Sequence, residues 1–152
     1  MSYLCLTLKH PKKIACHKGF LAENLHITLF HFPWDDVELY EEVMKIVVKS
    51  LPKLKLNKTA RGRSINYYGT DNKFVVLEID SKWIVNLRNL ISEELRKTQI
   101  IYSTQYKFSP HITLGKNGEV DMDNCNKLVG KKMSLNRIDF CNRDGILGVI
   151  IL

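Results

Sequence analysis

The chain has 152 residues, of which 45% are hydrophobic, so it is long enough to form one domain with a sizeable core. Its 23 Lys and Arg residues outnumber its 16 Asp and Glu residues and give a formal charge of +7, which favours encounter with anions such as nucleotides or RNA. No run of about 18 apolar residues occurs, and no basic segment followed by a long apolar run opens the sequence. We therefore expect one soluble, cytoplasmic domain with no membrane partner.

The four cysteines are scattered along the chain and include no Cys-x-x-Cys pair. This spacing matches neither a zinc knuckle nor a thioredoxin motif. A chain with this much core does not need disulfides in order to fold, so we expect reduced thiols. The four positions are Cys5, Cys16, Cys125 and Cys141.

The first third of the chain predicts two strands and a helix. Leucines alternate with other residues over positions 3–8 in the period-two pattern of a strand. A basic loop, residues 9–23, leads to a second strand over residues 24–32. Pro33 ends this strand, and acidic residues then introduce a helix that continues to about Ser50. The expected buried stripe of this helix is Val37, Tyr40, Met44, Val47 and Val48.

The middle of the chain predicts further strands and a second helix. Short strands are expected over residues 54–56 and 64–68, around a basic loop that contains Arg61-Gly62-Arg63. Residues 74–79 form a strongly apolar strand, and Ser81 is a suitable N-cap for the helix that follows. The expected buried stripe of this helix is Ile84, Leu87, Leu90, Ile91 and Leu95.

The last third predicts strands alone. Residues 100–106 and 108–114 have strand character, and residues 133–141 with 146–152 resemble a hairpin. Mixed helices and strands with hairpins favour antiparallel sheets rather than a doubly wound parallel sheet. The expected fold class is therefore α+β, in a single domain over residues 1–152.

The tetrapeptide His-Ile-Thr-Leu occurs twice, at residues 26–29 and at residues 111–114. Successive side chains of a strand point to opposite faces, so His26 and Thr28 share one face of the first strand. His111 and Thr113 share one face of the second in the same way, and the isoleucine and leucine of each copy face the core. The repetition indicates an internal duplication in which each half contributes one strand to a shared cleft.

Two histidines that face one cleft can divide the work of a phosphodiester displacement. Histidine has an unperturbed pKa of about 6.5, so one imidazole can accept a proton near neutral pH while the other donates one. The nucleophile and the leaving group lie roughly in line, so the base and the acid are needed on opposite sides of phosphorus. Thr28 and Thr113 can donate hydrogen bonds to the non-bridging oxygens. This scheme requires no metal ion and no cofactor.

At these residues the chain resembles the 2H phosphoesterase superfamily, the LigT-like enzymes that are named for two His-x-Thr/Ser-x motifs. Residues 23–29, Glu-Asn-Leu-His-Ile-Thr-Leu, are similar to the first motif with its customary lead-in. Residues 108–114, Phe-Ser-Pro-His-Ile-Thr-Leu, are similar to the second motif, including the proline before the histidine. The coarse order of the elements extends the resemblance over most of the chain.

The resemblance implies two pseudo-symmetric lobes, each an antiparallel β-sheet backed by helices, with a central cleft where catalytic His26 and His111 meet. It also implies a nucleotide or oligonucleotide substrate with a ribose phosphodiester. Members of the superfamily open 2',3'-cyclic phosphates, act on 2'-5' linkages, trim RNA 3' ends, or degrade cyclic oligonucleotide signals in the manner of phage anti-CBASS proteins. The motifs do not choose among these activities. The last would be viral immune evasion in the host cytoplasm.

Aromatic and basic residues near the motifs are candidates for substrate binding. Tyr3 on the first strand is suited to stacking on a base, and Tyr106 and Phe108 are placed to frame a base pocket. Arg61 and Arg63 are candidates to hold phosphate, because guanidinium groups pair with phosphate oxygens and loops carry specificity. The other basic candidates are Lys18, Lys107 and Lys116.

Two neighbours of the first motif lie further along its strand. Phe30 is in phase with His26 and is a candidate for either the groove or the core, with packing favoured. His31 is out of phase, so a regular strand would turn it away from the cleft and exclude it from catalysis.

Two other functions remain compatible with the sequence. A binding module would use the same cleft to sequester a nucleotide or RNA end without catalysis, although the intact motifs count against it. A metalloprotein would be built from the histidines, but no two of them have the i, i+4 spacing of a familiar zinc site. The histidines concerned are His10, His17, His26, His31 and His111.

Overall fold

The computed structural model describes residues 1–152 as seven strands and three helices. The strands are β1 (Ser2–Leu8), β2 (His26–Phe32), β3 (Thr59–Tyr68), β4 (Phe74–Asp80), β5 (His111–Lys116), β6 (Lys132–Asn142) and β7 (Gly145–Ile151). The helices are α1 (Val37–Ser50), α2 (Lys82–Lys97) and α3 (Met122–Asn126). Every strand pairing is antiparallel, which confirms the expected α+β class. None of the helices combines the length and the apolar character that a membrane crossing requires.

The strands form one hydrogen-bonded sheet in the order β1-β2-β5-β4-β3-β6-β7, and β1 also pairs with β6. Six strands therefore close on themselves, and β7 remains as an outer strand beside β6. One lobe contains β1, β2, β6 and β7, and the other contains β3, β4 and β5. The lobes meet where β3 pairs with β6 over residues 59–61 and where β2 pairs with β5 through Ile27 and Ile112. The second junction brings the two repeated motifs side by side.

The hydrophobic core lies between the sheet and the helices, on the face opposite the motif histidines. Helix α1 contributes Val43, Ile46 and Val47 to it, and α2 contributes Ile84, Leu87, Ile91 and Leu95. Each of these side chains stabilises the fold by about 1.5–3 kcal/mol when fully buried. The isoleucines and leucines of both motifs belong to this core, so the packing fixes the face that their histidines present.

Helix α1 is confirmed, but its predicted buried stripe is right only at Val47 and, in part, at Tyr40 and Met44, which are partly buried against the core. Val37 and Val48 are 67% and 57% exposed, whereas Val43 and Ile46 are buried with Val47. The helix is apolar enough to offer two overlapping stripes at helical spacing, and docking against the sheet selects the one that begins at Val43. Helix α2 begins as predicted, with the hydroxyl of Ser81 accepting a hydrogen bond from the amide of Ile84 at 3.5 Å.

The predicted basic loop at Arg61-Gly62-Arg63 lies inside strand β3, and residues 54–56 form no strand. Gly62 serves a close backbone approach rather than a turn, because a Cβ atom there would lie 2.3 Å from the carbonyl oxygen of Leu128. Its amide donates to the carbonyl oxygen of Lys131 at 3.0 Å, and its carbonyl accepts from the amide of Gly130 at 2.7 Å. A glycine required for packing was therefore mistaken for a loop signal.

The predicted strand over residues 100–106 is also wrong. This segment joins no strand ladder, and its link to β2 is a hydrogen bond of 2.8 Å from the amide of Ser103 to the carbonyl of His31. Strand β5 begins at His111 rather than at residue 108; Pro110, which precedes it, has no N–H to donate to a ladder. The hairpin of β6 and β7 is confirmed, and the short helix α3 was not predicted.

The basic loop between β1 and β2 packs against the second lobe. The amide of Phe20 donates to the carbonyl of Leu114 at 2.8 Å. A Cβ atom on Gly115 would lie 2.4 Å from a methyl group of Val120 and 3.1 Å from the Cα atom of Gly19, so only glycine permits this approach. The thiol of Cys125 on α3 contacts the sulfur of Cys16 in the loop at 2.9 Å, and all four cysteines are free and buried.

Candidate active site

The two motifs are related by a local two-fold arrangement. Ile27 stands opposite Ile112 in the antiparallel pairing of β2 with β5. This register places His26 across from Thr113 and Thr28 across from His111, all on the face opposite the buried isoleucines. In regular pairing, diagonal neighbours such as the two histidines are about 7–8 Å apart, a spacing that leaves room for a phosphate group between the imidazoles. The expectation that the motifs share one cleft is therefore met by the strand register.

Both imidazoles are oriented by the same backbone contact. The Nδ1 atom of His26 lies 2.9 Å from the carbonyl oxygen of Asn24, and the Nδ1 atom of His111 lies 2.9 Å from the carbonyl oxygen of Ser109. A carbonyl oxygen only accepts, so each Nδ1 carries the proton and donates it. Each Nε2 is then the atom left to exchange a proton with a ligand. A pair of oriented imidazoles with their Nε2 atoms free is the arrangement that acid and base catalysis requires.

Each motif ends in a β-bulge at its leucine. Along β1 and β2 the pairing passes from Thr28 to Phe30, and along β4 and β5 it passes from Thr113 to Gly115. Leu29 and Leu114 are thus the extra residues of the two bulges. From histidine onward the two strands share the same burial sequence, with half-buried His and Thr, three buried positions and then an exposed residue. The duplication extends to the irregularities of the backbone.

The first bulge overturns the predicted orientation of His31. A regular strand would turn His31 away from the cleft, but the extra residue at Leu29 reverses the alternation beyond it. Phe30 consequently faces the core, with 2% of its surface exposed, and His31 lies on the same side of the sheet as His26. The ring of His31 lies 6.3 Å from that of Tyr3, its partner on β1. Burial lowers the pKa of His31, and the charge of His111 adds to this effect.

The motif residues line a cleft of about 710 Å³ between the lobes. Its floor continues from β2 across β1 and β6, through side chains that alternate with the core residues of those strands. The basic loop closes one side with Phe20 and Asn24. This volume falls within the range of about 300–1,000 Å³ that is usual for small-molecule sites. The floor residues from β1 and β6 are Tyr3, Cys5, Thr7, Arg137, Asp139 and Cys141.

His26 lies against an aromatic ring of β1. The ring of Tyr3 stacks on its imidazole with centroids 5.3 Å apart and planes inclined by 24°. Burial lowers the pKa of His26 below its ordinary value, and the charges of His31 and His111 lower it further, against the hydrogen bond to Asn24. His26 is therefore held neutral at and above neutral pH. Burial raises the pKa of Tyr3 to about 12, so its ring keeps a neutral hydroxyl.

His111 has a different set of neighbours. The ring of Tyr68 on β3 meets its imidazole edge-on, with centroids 4.7 Å apart and an angle of 65°. Glu78 is its partner on β4, and the carboxylate of Glu78 accepts hydrogen bonds from Arg63 at 2.6 Å and from Asn66 at 2.8 Å. These contacts hold the pKa of Glu78 below its usual range, the bond from Asn66 being the largest cause. An anchored carboxylate thus flanks His111, whereas a neutral Thr7 occupies the matching position beside His26.

The eight candidate binding residues divide into one inside the cleft and seven outside it, and Lys18, Lys107 and Lys116 are among the seven. Tyr3 lines the cleft as predicted. Arg61 donates to the carbonyl of Gly130 at 2.6 Å, Arg63 is paired with Glu78, and Tyr106 is 81% exposed away from the cleft. Phe108 is half-buried, with the guanidinium of Arg88 5.2 Å from its ring centroid. The glycine between the two arginines and the position of the aromatics next to the second motif were misleading signals.

Strand β6 supplies cleft residues that were not predicted. Arg137, Asp139 and Cys141 alternate with the core residues Ile138 and Phe140, so the period-two pattern was visible in the sequence. Nothing in that pattern shows that β6 lies beside β1, which is what brings its polar face into the cleft. Cys141 shares a hydrogen bond with Cys5, and this bond together with burial raises the pKa of Cys5. The chain brings together no group of three His, Cys, Asp or Glu side chains that could hold a metal ion.

Comparison with known proteins finds similarity in structure alone. No model of a protein family matches the chain, and no curated protein sequence matches it. Among solved structures, the protein TT0787 of Thermus thermophilus superposes with a TM-score of 0.67 at 17% identity, covering 99% of this chain and 97% of that one. A phosphoesterase superposes with a TM-score of 0.65 at 14% identity, with the same coverage.

Escherichia coli LigT complexed with 3'-AMP superposes with a TM-score of 0.63 at 12% identity, covering 99% of this chain and 97% of LigT. The chain therefore has the LigT-like α+β fold, and it has that fold over its full length. The resemblance to the 2H phosphoesterases that the two motifs predicted is confirmed at the level of the fold.

Proposed function

We propose that this chain is a metal-independent phosphodiesterase that acts on a ribose phosphodiester of a small nucleotide or oligonucleotide. The observation that carries this proposal is the two-fold arrangement of the motifs. Two imidazoles with backbone-bound Nδ1 atoms line one cleft and keep their Nε2 atoms free, and each stands across the strand pairing from a threonine. Both proton transfers and the stabilisation of the phosphate oxygens are then supplied by side chains of the chain itself.

The surroundings of the histidines support different roles for the two residues in this proposal. His26 is kept neutral by burial, so its Nε2 is suited to accept the proton of the attacking oxygen, which belongs to water or to a ribose 2'-hydroxyl. The new P–O bond forms as the bond to the leaving oxygen breaks, and His111 donates a proton from its Nε2 atom to that oxygen. Thr28 and Thr113 donate hydrogen bonds to the non-bridging oxygens, whose negative charge grows in the transition state.

The size and charge of the site favour a small anionic substrate. A cleft of about 710 Å³ can enclose a nucleotide rather than a long RNA, and the net charge of +7 attracts phosphates. LigT, which has the same fold, has been crystallised with 3'-AMP, ATP and NADP+. The substrates proposed for this chain are cyclic oligonucleotide signals, 2'-5' linkages and 2',3'-cyclic phosphates. Degradation of a cyclic oligonucleotide signal would fit a cytoplasmic anti-CBASS role in viral immune evasion.

A panel of candidate substrates with product analysis by mass tests the proposal. The panel contains 2',3'-cyclic nucleotides, 2'-5' and 3'-5' oligonucleotides and cyclic dinucleotides, and each is incubated with the wild-type protein, His26→Ala and His111→Ala. His10→Ala is the matched control, because His10 is exposed and lies outside the cleft. We expect turnover by the wild type and the control, with and without a chelator, and its loss in both cleft variants.

Each other outcome has a definite meaning. Binding of a ligand that is returned unchanged would replace the enzyme with a nucleotide-binding protein that uses the same cleft. Turnover of 3'-5' oligonucleotides from their 3' ends would indicate RNA 3'-end processing. Full activity in both His26→Ala and His111→Ala would refute the two-histidine mechanism.

A further inference from the structure

A charged pair lies on the cleft floor beyond the catalytic histidines. The guanidinium of Arg137 meets the carboxylate of Asp139 through an Nη2 to Oδ2 hydrogen bond of 2.9 Å and an Nε to Oδ1 contact of 2.8 Å. Asp139 is 2% exposed, whereas the side chain of Arg137 retains 37% of its exposure. One edge of the guanidinium is therefore held inside the protein, and its other edge faces the cleft.

The pair is poorly explained as a device for stability. Its Nε to Oδ1 contact lacks the direction of a hydrogen bond, so both of these buried atoms have no hydrogen-bond partner. Removing the carboxylate of Asp139 from water is costly, and an ion pair that compensates a buried charge often adds little net stability. Here the buried carboxylate fixes the orientation of a cation at the edge of a binding site.

The strand register places Arg137 in line with the reacting centre. Thr7 on β1 is the partner of His26 on β2 and also the partner of Arg137 on β6. Two strand spacings of about 4.8 Å separate the backbones of His26 and Arg137, which gives about 10 Å. A ligand that lies across Thr7 can therefore reach both residues, with its reacting phosphate at His26 and a second group at the guanidinium.

A second donor stands beside the guanidinium. The hydroxyl of Thr7 donates to the Oδ1 atom of Asn136 at 3.2 Å, so the side-chain amide nitrogen of Asn136 remains free to donate to a ligand. Neither this nitrogen nor the Nη1 atom of Arg137 has a hydrogen-bond partner within the protein. Both residues line the cleft. Two donors, one of them charged and fixed by a carboxylate, suit a phosphate group.

We propose that Arg137, oriented by Asp139 and assisted by Asn136, binds a second phosphate group on the nucleoside that carries the reacting diester. This inference rests on the proposed phosphodiesterase function and narrows its substrate class. The preferred substrate then carries a 5'-phosphate in addition to the 2' or 3' phosphodiester, as an internal or 5'-phosphorylated nucleotide does. Arg137 and Asn136 are binding residues in this scheme, and Asp139 is a positioning residue.

A matched pair of substrates tests the proposal. Adenosine 2',3'-cyclic phosphate and its 5'-phosphorylated form are compared by kcat/KM, and the quantity of interest is the ratio between them. Two charge-assisted hydrogen bonds predict a preference of about ten- to a hundredfold for the 5'-phosphorylated form in the wild type. Arg137→Ala should reduce this ratio to about one, and Arg137→Lys, which keeps the charge without the fork, should give an intermediate ratio.

The control and the second readout separate this proposal from the proposed function. Arg96→Ala removes an exposed arginine of α2 outside the cleft and should keep the preference. Calorimetry with 3'-AMP and adenosine 3',5'-bisphosphate makes the same comparison without turnover, and thermal unfolding checks that each variant folds. A wild-type protein that turns over neither substrate but still prefers the bisphosphate would exclude 2',3'-cyclic phosphates as its substrates and keep the phosphate site. The proposed phosphate site would be refuted if the wild type bound and turned over both ligands of each pair equally well. It would also be refuted if Arg137→Ala and Arg137→Lys kept the wild-type preference.

Discussion

The strand that carries His26 and the strand that carries His111 have the same backbone in different surroundings. Both begin at the histidine, hold its Nδ1 with the carbonyl two residues earlier, and bulge at the leucine that ends the motif. Their neighbours differ, because Tyr3 stacks on His26 while Tyr68 meets His111 edge-on beside the carboxylate of Glu78. The duplicated backbone gives the two histidines the same geometry, and the neighbouring residues give them different environments.

The largest effect is expected from replacing either histidine. His26→Gln and His111→Gln should each lower kcat by about 10²–10⁴-fold, because each removes one proton transfer. The double variant should lose little more than either single one, since the two residues act as a unit. The circular dichroism and thermal unfolding of both should match the wild type, because neither imidazole belongs to the core. A loss of kcat in only one of the two variants would show that the two motifs do not contribute equally to turnover.

The pH profile should separate the two roles. A base must be neutral, and the pKa of His26 is lowered, so wild-type activity should fall only below about pH 6.5 as His26 takes up a proton. Residual activity in His26→Gln should lose this acidic limb, whereas residual activity in His111→Gln should keep it. Measurement of kcat/KM from pH 5 to 9 checks both. An acidic limb that persists in His26→Gln would reverse the assignment of base and acid.

The threonines should show smaller and equal effects. Thr28→Val and Thr113→Val each remove one donor to the phosphate oxygens, which is expected to lower kcat by about 10²–10³-fold. Thr→Ser at either position keeps the hydroxyl and should retain most of the activity. Because the register relates the two threonines by the same local two-fold arrangement, unequal losses at the two positions would show that the phosphate is bound asymmetrically.

Local patterns predicted the elements that depend on local chemistry. Alternating apolar residues marked β1 and β2, helical spacing and Ser81 marked α2, and the repeated motif marked two histidines that line one cleft. These predictions succeeded because a strand or helix with one buried face has apolar residues spaced at its own structural period. The motif also predicted the fold, because the LigT-like fold that its resemblance implied agrees with the structural similarity to LigT.

Features that depend on neighbouring strands could not be predicted in this way. No residue type in the sequence indicates the bulge at Leu29. The bulge nevertheless turns the side chain of Phe30 into the core and that of His31 toward the cleft side of the sheet. Arg137 and Asp139 enter the cleft only because β6 pairs with β1, a contact between residues more than a hundred positions apart. Glycine is common in loops, but Gly62 lies in a strand, where its lack of a side chain lets the backbone of Leu128 approach closely. Each of these required the tertiary pairing rather than the local pattern.

The smallest effect tests why the surroundings of the two histidines differ. The stacked ring of Tyr3 shields His26 from water, and burial is the main cause of its lowered pKa. Tyr3→Leu should therefore raise the pKa of His26 toward 6.5 and move the acidic limb to higher pH, changing activity at pH 6 by less than about tenfold. Tyr3→Phe keeps the ring and should keep the limb in place. Tyr68→Leu is the matched change beside His111, and an equal shift of the acidic limb in that variant would show that the two tyrosines do not distinguish the base from the acid.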